Sequence, residues 1–486
     1  MKKLFPLLLF LLAVSWTKAG EPLYHEKYRP QYHFTPAHRW IGDPCGLIKH
    51  GGKYFGYSWG GAVTDDLLHW TELNDMAIVG LPDSIAAFTG SVVVDSLNTT
   101  GFGEGSMVAV FTSFDKVSKI QSQSIAYSTD GGITFRYYDG NPVLDIGSTE
   151  FRDPTVIWDK INKRWIMAVA KALDKKVAFY GSTDLRNWEW LSDFGPMGDS
   201  ARSWECPDLF MLPVKGTDQW KWVLLVSINW AREQYFVGDF NGTEFVAEQT
   251  GSYPLYVDEG MDYYASRVFA DYDSDSTDVY TLGWVNTWDY APQAPSEWGK
   301  GVWSLPRKLT LDQVDGKYIL CQEPVDALME LRGEPYRFSG KVKAGITPLP
   351  ELSAMDNCYE MILKVSAEDD NQWWVNLCCD EGRKLTISYD PVSHFLKIDR
   401  TNCTDAQLPD CFARVAYARV HPVDGELTLS IYVDKSTVEI FTPGGEKTFT
   451  LLTYPGENQT GVELFSLDGA TRFDIVAYPL ESVHRN

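Results

Sequence analysis

Three short motifs place a carboxylate among rigid or apolar neighbours, and these carboxylates are the first candidates for chemistry. They read Trp40-Ile-Gly-Asp43-Pro-Cys-Gly46, Phe151-Arg-Asp153-Pro154 and Trp204-Glu205-Cys-Pro207. Such surroundings shift the pKa of an acid and hold it in place. Cleavage of a glycosidic bond needs one carboxylate to attack the anomeric carbon and another to protonate the departing oxygen. A third carboxylate can stabilise positive charge at the transition state.

The neighbours of each acid predict its role. Glu205 lies between Trp204 and Cys206, so we expect apolar surroundings, a raised pKa and the role of general acid. An aspartate held by backbone donors stays ionised and can act as the nucleophile. In a retaining enzyme the nucleophile and the acid would lie about 5–5.5 Å apart.

Acids so far apart in the sequence can meet only if the fold brings several strands to one place. Short β-rich runs separated by Gly, Asn and Asp turns predict an all-β chain. A weak repeat, a strand ending in a Ser/Thr-Asp turn before an aromatic residue, occurs at 62–70, 126–135 and 180–188. The copies are about 55–65 residues apart, which matches one four-stranded blade. We predict a five-bladed β-propeller over residues 20–331, in preference to hairpins of a β-sandwich.

The last third of the chain has a different pattern. A break with Gly, Pro and Lys covers about 332–350, and runs of alternating residues follow it. This alternation predicts a β-sandwich over residues 350–486. Sandwiches are common accessory domains, so we expect the chemistry at the centre of the propeller.

The N-terminus predicts export. Lys2 and Lys3 precede a short apolar run over 4–14, and small residues follow near position 19, so residues 1–19 are predicted to be a signal peptide. The run is too short for a comfortable membrane span. We therefore expect a secreted, extracellular protein that is not bound to a membrane. Four sequons predict glycosylation in a eukaryotic host: Asn98, Asn241, Asn402 and Asn458.

The chain has eight cysteines, none with the spacing of a zinc site. Cys403 and Cys411 are separated by a short loop and are the easiest pair to join in a disulfide bond. Cys45 and Cys206 lie inside the acidic motifs, and we expect both to be free thiols. The sequence does not fix the remaining connectivity.

The net charge and the composition limit the classes of molecule that the protein is expected to bind. The net charge is -23, and such a surface repels phosphate backbones, so nucleic acid is an improbable partner. A neutral sugar meets no such repulsion. The 18 Trp, 25 Tyr and 24 Phe could stack on sugar rings, although strands favour aromatic residues in any case.

Six segments, in order, make the chain resemble glycoside hydrolase family 32, the invertase, inulinase and levanase family, over nearly its whole mature length. They are residues 40–46, 88–91, 151–154, 204–207, 283–288 and 303–307. The resemblance implies a five-bladed propeller joined to a β-sandwich, a retaining double displacement, and no metal or organic cofactor. It implies Asp43 as nucleophile, Asp153 as transition-state stabiliser and Glu205 as acid/base.

The resemblance also implies a set of substrate-binding residues, which are Trp40, Trp59, Phe88, Thr89, Ser91, Arg152, Trp204 and Trp288. The first motif departs from the family, which usually has Asn-Asp-Pro-Asn-Gly where this chain has Gly42-Asp-Pro-Cys-Gly46. Loss of the Asn removes one contact to substrate. Cys45, and residues 54–61 without the usual Gln, resemble a branch containing fungal fructosyltransferases and invertases.

Four functions therefore remain open. The first is hydrolysis of terminal β-fructofuranosyl bonds in sucrose or fructans. The second is transfer of the fructosyl group to another sugar. The third is a catalytically inert sugar-binding protein, which the complete set of acids disfavours. The fourth is a related five-bladed enzyme acting on arabinose or xylose polymers, which the segments 88–91 and 204–207 and the sandwich disfavour.

Overall fold

The computed structural model describes residues 23–248, 253–271, 277–366 and 371–484. The predicted signal peptide lies outside these ranges. In the described part of the chain, no helix is both long enough and apolar enough to cross a membrane. Strands dominate, and the predicted five-bladed β-propeller followed by a β-sandwich is confirmed.

The propeller is built from five sheets in chain order. Blade 1 contains β1 (Cys45–His50), β2 (Lys53–Tyr57), β3 (Gly61–Thr64) and β4 (Thr71–Asn74). Blade 2 contains β5 (Ile78–Val79), β6 (Ile85–Asp95), β7 (Ser106–Asp115), β8 (Gln121–Ser128) and β9 (Phe135–Tyr137). Blade 3 contains β10 (Phe151–Asp159), β11 (Arg164–Lys171), β12 (Lys176–Ser182) and β13 (Glu189–Phe194), with a 3-10 turn at Ala172–Asp174.

The remaining two blades complete the ring. Blade 4 contains β14 (Trp204–Pro213), β15 (Trp220–Ile228), β16 (Arg232–Phe240), β17 (Phe245–Ala247) and β18 (Leu255–Tyr256). Blade 5 contains β19 (Tyr264–Val268), β21 (Val279–Trp284), β22 (Arg307–Val314) and β23 (Lys317–Pro324), with a 3-10 turn at Ala291–Gln293. The short strand β20 (Ala270–Asp271) pairs in parallel with β1 and so joins the last blade to the first.

The sequence repeat is a turn that recurs between the third strand and the outer strand of blades 1 to 3. In each copy a Ser or Thr hydroxyl donates to an Asp carboxylate two residues later, and that carboxylate accepts backbone N–H groups of the turn. The three Asp residues are Asp66, Asp130 and Asp184. The repeat thus marks equivalent positions of successive blades, as its spacing predicted.

The inner strands β1, β10, β14 and β19 share an irregularity. Each is bulged, and the bulge contains a residue in the left-handed region: Gly46 (φ 52°), Asp153 (φ 65°), Cys206 (φ 46°) and Ala265 (φ 53°). A bulge bends a strand and redirects its side chains. The bulges therefore turn residues of four blades away from the ordinary pleat near one end of the propeller.

The C-terminal strands form one hydrogen-bonded network folded into a sandwich. They are β24 (Tyr336–Pro348), β25 (Tyr359–Ser366), β26 (Trp373–Cys379), β27 (Leu385–Asp390), β28 (Phe395–Asp399), β29 (Val415–Arg419), β30 (Glu426–Val433), β31 (Thr437–Phe441), β32 (Thr448–Leu452) and β33 (Gly461–Pro479). The long strand β33 pairs with β24, β25 and β26. The short helices are α1 (Pro350–Ser353) and 3-10 turns at Asp326–Leu331, Asp410–Phe412 and Pro443–Gly445.

Two sequence-based expectations fail in this region. The break predicted at 332–350 instead contains β24, whose polar alternation fits a strand with one exposed face. The predicted Cys403–Cys411 disulfide is absent, and all eight cysteines, each within the described ranges, are free. Cys403 Sγ lies 3.3 Å from the Thr453 carbonyl oxygen, whereas Cys411 Sγ is 3.9 Å from that of Asp289. The four sequon asparagines are exposed, and their glycosylation remains a prediction.

Candidate active site

The three predicted acids meet at one end of the propeller, around the thiol of Cys206. Asp43 precedes β1, Asp153 lies on β10 and Glu205 lies on β14. Cys206 Sγ is 3.7 Å from Asp43 Oδ2 and 3.5 Å from Asp153 Oδ2. Arg152 lies beside both Asp153 and Glu205. Its Nε is 3.9 Å from Asp153 Oδ2, and its Nη2 is 2.5 Å from Glu205 Oε1. Side chains from three blades therefore share one small site.

Asp43 is fixed by its own loop and by blade 2. The backbone N–H of Gly42 donates to Ser58 Oγ at 3.1 Å, and the Gly42 carbonyl accepts from Trp303 Nε1 at 3.0 Å. Thr89 Oγ1 donates to Asp43 Oδ2 at 2.8 Å. Asp43 Oδ1 is buried and accepts no hydrogen bond from the described residues, which leaves one carboxylate oxygen available to a substrate.

Burial raises the pKa of Asp43 to about 7, and the nearby negative charge of Asp153 adds to the increase. The hydrogen bond from Thr89 acts in the opposite direction, because it stabilises the ionised form. We expected backbone donors to keep the nucleophile ionised. The structure instead gives Asp43 a hydroxyl donor.

Asp153 is held by the bulge of β10. Its left-handed backbone is tolerated because Asp is one of the residues that adopt this conformation most readily. Its N–H donates to Thr112 Oγ1 at 2.8 Å, and its Oδ2 accepts from the Cys206 N–H at 3.1 Å. Burial raises the pKa of Asp153 to about 6, and the charge of Arg152 limits the increase.

Glu205 does not have the apolar surroundings that its neighbours in sequence predicted. Its Oε1 accepts from Arg152 Nε at 3.0 Å and from Nη2 at 2.5 Å, while its Oε2 accepts from the Tyr264 hydroxyl. Arg152 belongs to blade 3 and Tyr264 to blade 5, so the polar partners come from both neighbouring blades. The expectation of an apolar setting for Glu205 is wrong.

Sequence reasoning missed Tyr264 and Arg267, both on β19. Arg267 is buried beneath the acids and donates to Thr155 Oγ1 at 2.8 Å and to the Pro207 and Asp153 carbonyls at 2.5 and 3.3 Å. It thus connects the bulged segments of β10 and β14. Residues 263–267 contain no acid followed by Pro, and the only available signal was a lone Arg in a strand-like run.

Several predicted substrate-binding residues surround the acids. The Trp40 and Trp288 rings are exposed and stacked, with centroids 6.1 Å apart, and both pack on the buried Trp284. A Cβ atom on Gly42 would come within 3.1 Å of Trp40 Nε1. The indole of Trp40 therefore occupies space beside the position where the family usually has Asn.

On the blade 2 side, the predicted residues support one another. Trp59 Nε1 donates to the Phe88 carbonyl at 2.7 Å, and the Phe88 ring stacks on Phe114 with centroids 4.9 Å apart. Thr89 follows Phe88 and contacts Asp43, as described above. Trp59 is largely buried, so it holds Phe88 in place and contributes little exposed surface to the site.

Two predicted substrate-binding residues are used elsewhere. Trp204 is fully buried, donates to the Asp199 carbonyl at 2.8 Å and packs on Phe194 and Phe236. The prediction that it lines the pocket is wrong, because successive residues of a strand face opposite sides and Glu205 takes the inner one. Ser91 Oγ accepts from the Val156 N–H at 3.1 Å and so links blade 2 to blade 3.

The arrangement can carry out acid-assisted displacement at a sugar carbon. It offers one carboxylate with a free oxygen, a second carboxylate beside it, and a third beside a guanidinium and a phenol. Within the described ranges, no group of His, Cys, Asp and Glu side chains has the geometry to hold a metal ion.

The family models match almost the whole described chain. The N-terminal domain of glycosyl hydrolases family 32 matches residues 33–324, and the C-terminal domain of the same family matches residues 327–479. The chain belongs to glycoside hydrolase family 32. It is a glycosidase that acts on fructosides, like the levanases, inulinases and invertases to which it is similar.

Relatives of this family 32 enzyme include bacterial and fungal proteins. A levanase of Bacillus subtilis is 34% identical over 94% of this chain and 71% of its own length. An invertase of Schizosaccharomyces pombe is 34% identical over 88% of this chain and 80% of its own. The crystal structure of exo-inulinase from Aspergillus awamori has a TM-score of 0.88 at 30% identity and covers 95% of this chain and 100% of that one.

Proposed function

We propose that this family 32 enzyme is a secreted, retaining β-fructofuranosidase that hydrolyses terminal β-D-fructofuranosyl bonds of sucrose or fructans. The observation that carries the proposal is the meeting of Asp43, Asp153 and Glu205, which lie on or just before the bulged inner strands of three blades. The names of the relatives support fructan or sucrose as substrate. The N-terminal segment and the extracellular exo-inulinases among the relatives support secretion.

In the proposed mechanism, the free oxygen of Asp43 attacks the anomeric carbon of the fructosyl group. Glu205 protonates the glycosidic oxygen, the leaving sugar departs, and a covalent fructosyl-enzyme forms. Glu205 then takes a proton from water, which attacks the same carbon and releases fructose and Asp43. Asp153 stabilises the positive charge that develops on the sugar ring in both steps.

The pKa values of the two aspartates set a pH condition on this cycle. The raised pKa values of Asp43 and Asp153 mean that the cluster retains a proton in mildly acidic solution. The nucleophile must be ionised to attack, so the raised pKa of Asp43 predicts that activity falls as the pH drops below about 7. Arg152 and Tyr264 hold Glu205 at the edge of the site, where the leaving oxygen would lie. All of these groups fall within residues 20–331, which we propose as the catalytic unit.

Product analysis of the purified protein tests the proposal. We expect release of fructose from sucrose, inulin or levan, and an Asp43→Asn variant with at least a thousandfold lower kcat. Asp65→Asn is the matched control, since Asp65 is an exposed acid of the same blade. Full activity of Asp43→Asn would contradict the assigned role.

The same assay separates the other functions. Glucose released from sucrose without an equal amount of fructose would show transfer to sugar in place of water. Sugar binding without cleavage would show an inert binding protein. Cleavage of arabinan or xylan, with fructosides untouched, would place the specificity outside fructosides.

A further inference from the structure

We propose that Glu233, a buried residue of blade 4, positions the acid/base Glu205 by holding the bulge of β19 next to Tyr264. The inference rests on the proposed function, which assigns the acid/base role to Glu205. Glu233 lies on β16 and is only 1% exposed. Its carboxyl group is bonded to two serines, so it can act on the reaction only through other residues.

The strand register of blade 4 places Glu205, Ser227 and Glu233 in one row. Glu205 on β14 pairs with Ser227 on β15, and Ser227 pairs with Glu233 on β16. Residues that pair directly on neighbouring strands have their side chains on the same face of the sheet. A hydrogen bond of 3.1 Å from Ser227 Oγ to Glu233 Oε1 joins two members of the row. The row faces β19 of blade 5, because Glu205 and Glu233 both accept hydrogen bonds from that strand.

The bulge of β19 is bonded to this row. Residues 265 and 266 form the irregular part of the pairing between β19 and β21. The Ala265 N–H donates to Ser227 Oγ at 3.0 Å. Ser266 donates twice to Glu233, from its N–H to Oε1 at 3.1 Å and from its hydroxyl to Oε2 at 2.5 Å. Buried N–H groups need acceptors, and at this bulge side chains of blade 4 supply them.

The backbone of Ala265 needs this support, because it is left-handed, with a φ of 53°. Such a conformation is unfavourable for Ala and persists only where the surroundings fix it. Ala265 directly follows Tyr264, whose hydroxyl donates to Glu205 Oε2. A relaxed bulge would redirect the Tyr264 side chain. Glu205 would then keep its bonds to Arg152 and lose its donor at Oε2.

The protonation state of Glu233 shows which substitution can replace it. Burial raises the pKa of Glu233 to about 8, although the hydrogen bonds from Ser266 and Ser227 act in the opposite direction. The group is therefore a neutral carboxylic acid in mildly acidic solution. A Gln side chain is also neutral, and it offers one accepting oxygen and an NH2 group that can donate to Ser266 Oγ. Glu233→Gln can thus keep the bonds to the bulge, whereas Glu233→Leu cannot.

Two fructosides that differ in their need for a proton test the inference. Methanol leaves methyl β-D-fructofuranoside with a proton from the acid, whereas fluoride leaves β-D-fructofuranosyl fluoride as an anion. We would measure kcat/KM, which reports the first displacement, on both substrates in mildly acidic solution. Glu233→Leu should lower it about tenfold or more on the methyl fructoside and less than about twofold on the fluoride, because only the former depends on general acid catalysis. Glu233→Gln should restore the wild-type values.

A second variant and a control complete the set. Ser227→Ala removes the acceptor of the Ala265 N–H while Glu233 stays in place, so it tests the same bulge if Glu233→Leu does not fold. It should show the same selective loss on the methyl fructoside. Asp239→Leu is the matched control, because Asp239 is an acid of the same strand with a side chain 66% exposed. It should leave both values unchanged.

Glu205→Gln, measured on the same two substrates, separates the two proposals. A selective loss on the methyl fructoside would support the role of Glu205 as acid. If Glu205→Gln shows this loss, then equal losses on both substrates in the Glu233→Leu or Ser227→Ala variant, no loss in either, or no rescue by Glu233→Gln would overturn the positioning role alone. Equal losses on both substrates in Glu205→Gln would refute the proposed acid, and the role of Glu233 with it.

Discussion

The hydroxyl group of Thr89 donates a hydrogen bond of 2.8 Å to the carboxylate of Asp43. Asp43 is largely removed from water, and its second oxygen has no partner among the described residues. Burial raises the pKa of Asp43 to about 7, and Thr89 opposes this rise. A residue of blade 2 thus favours the ionised form of an acid at the start of blade 1.

Thr89→Val removes this donor and nearly preserves the shape of the side chain. The pKa of Asp43 should then rise further, because the ionised form loses a hydrogen bond. Less of the nucleophile is ionised in acid, so the acidic limb of the kcat/KM profile should move to higher pH. Activity at pH 5 should fall about tenfold or more, given the strength of hydrogen bonds to charged groups. Thr89→Ser should restore the wild-type profile, and an unchanged profile in Thr89→Val would rule out this role.

Arg267→Met should destabilise the propeller. Arg267 is buried, donates to two backbone carbonyls and lies 4.0 Å from Asp208. Removing one partner of a buried charged group costs about 3–5 kcal/mol. The free energy of unfolding in guanidinium chloride should fall by about this amount, and kcat should fall as the bulges of β10 and β14 lose their connection. Equal stability of Arg267→Met and wild type would show that the buried charge is dispensable.

Trp288→Ala should weaken substrate binding with little change in kcat. Trp288 forms an exposed aromatic surface with Trp40. Such a surface makes apolar contact with the substrate and takes no part in proton transfer. Loss of about 1 kcal/mol of contact corresponds to roughly a fivefold increase in KM. Trp190→Ala, at an exposed tryptophan on the outer strand of blade 3, is the control. A lower kcat with constant KM would contradict a role in binding.

His33 should make the junction between propeller and sandwich sensitive to alkali. Its ring nitrogens contact Asp434 at 2.8 Å and Glu439 at 3.1 Å, and Glu439 also accepts from Arg307. Although burial opposes it, bonding to the two acids raises the pKa of His33 from 6.5 to about 9. The stabilisation is therefore complete below pH 6.5 and is lost as the pH rises through 9.

Thermal unfolding measured between pH 6 and pH 10 checks this prediction. The melting temperature of wild type should decline across this range more steeply than that of His33→Gln, which carries no titrating group at the position. The difference between the two proteins should be largest near pH 6. Parallel curves would show that His33 is not protonated in the folded protein.

The site could be predicted from the sequence where its residues carry local chemistry. Asp43 and Asp153 precede proline, and Glu205 lies in a short motif with Cys and Pro, so each was visible without any partner. The turns after Thr64, Ser128 and Ser182 were visible for the same reason, because a side chain there bonds its own backbone.

The rest of the site depends on contacts between blades, which neighbours in sequence do not encode. We expected apolar surroundings for Glu205 because Trp204 and Cys206 flank it, yet its hydrogen-bond partners are 53 and 59 residues away in the sequence. The resemblance implied that Trp204 lines the pocket, whereas its side chain is fully buried on the opposite side of the strand. Arg267 acts through backbone carbonyls, which no motif records.

The parallel pairing of β20 with β1 has a consequence for the response to heat. It consists of two residue pairs, Ile48 with Ala270 and Lys49 with Asp271, reinforced by an ion pair of 3.1 Å between Lys49 and Asp271. Separation of β20 from β1 would move Asp43 away from Tyr264 and Arg267, which belong to the adjoining blade, before any sheet of the propeller unfolds. Heated samples should therefore lose turnover at temperatures where circular dichroism still reports intact strands, and high salt should lower the inactivation temperature by screening the ion pair.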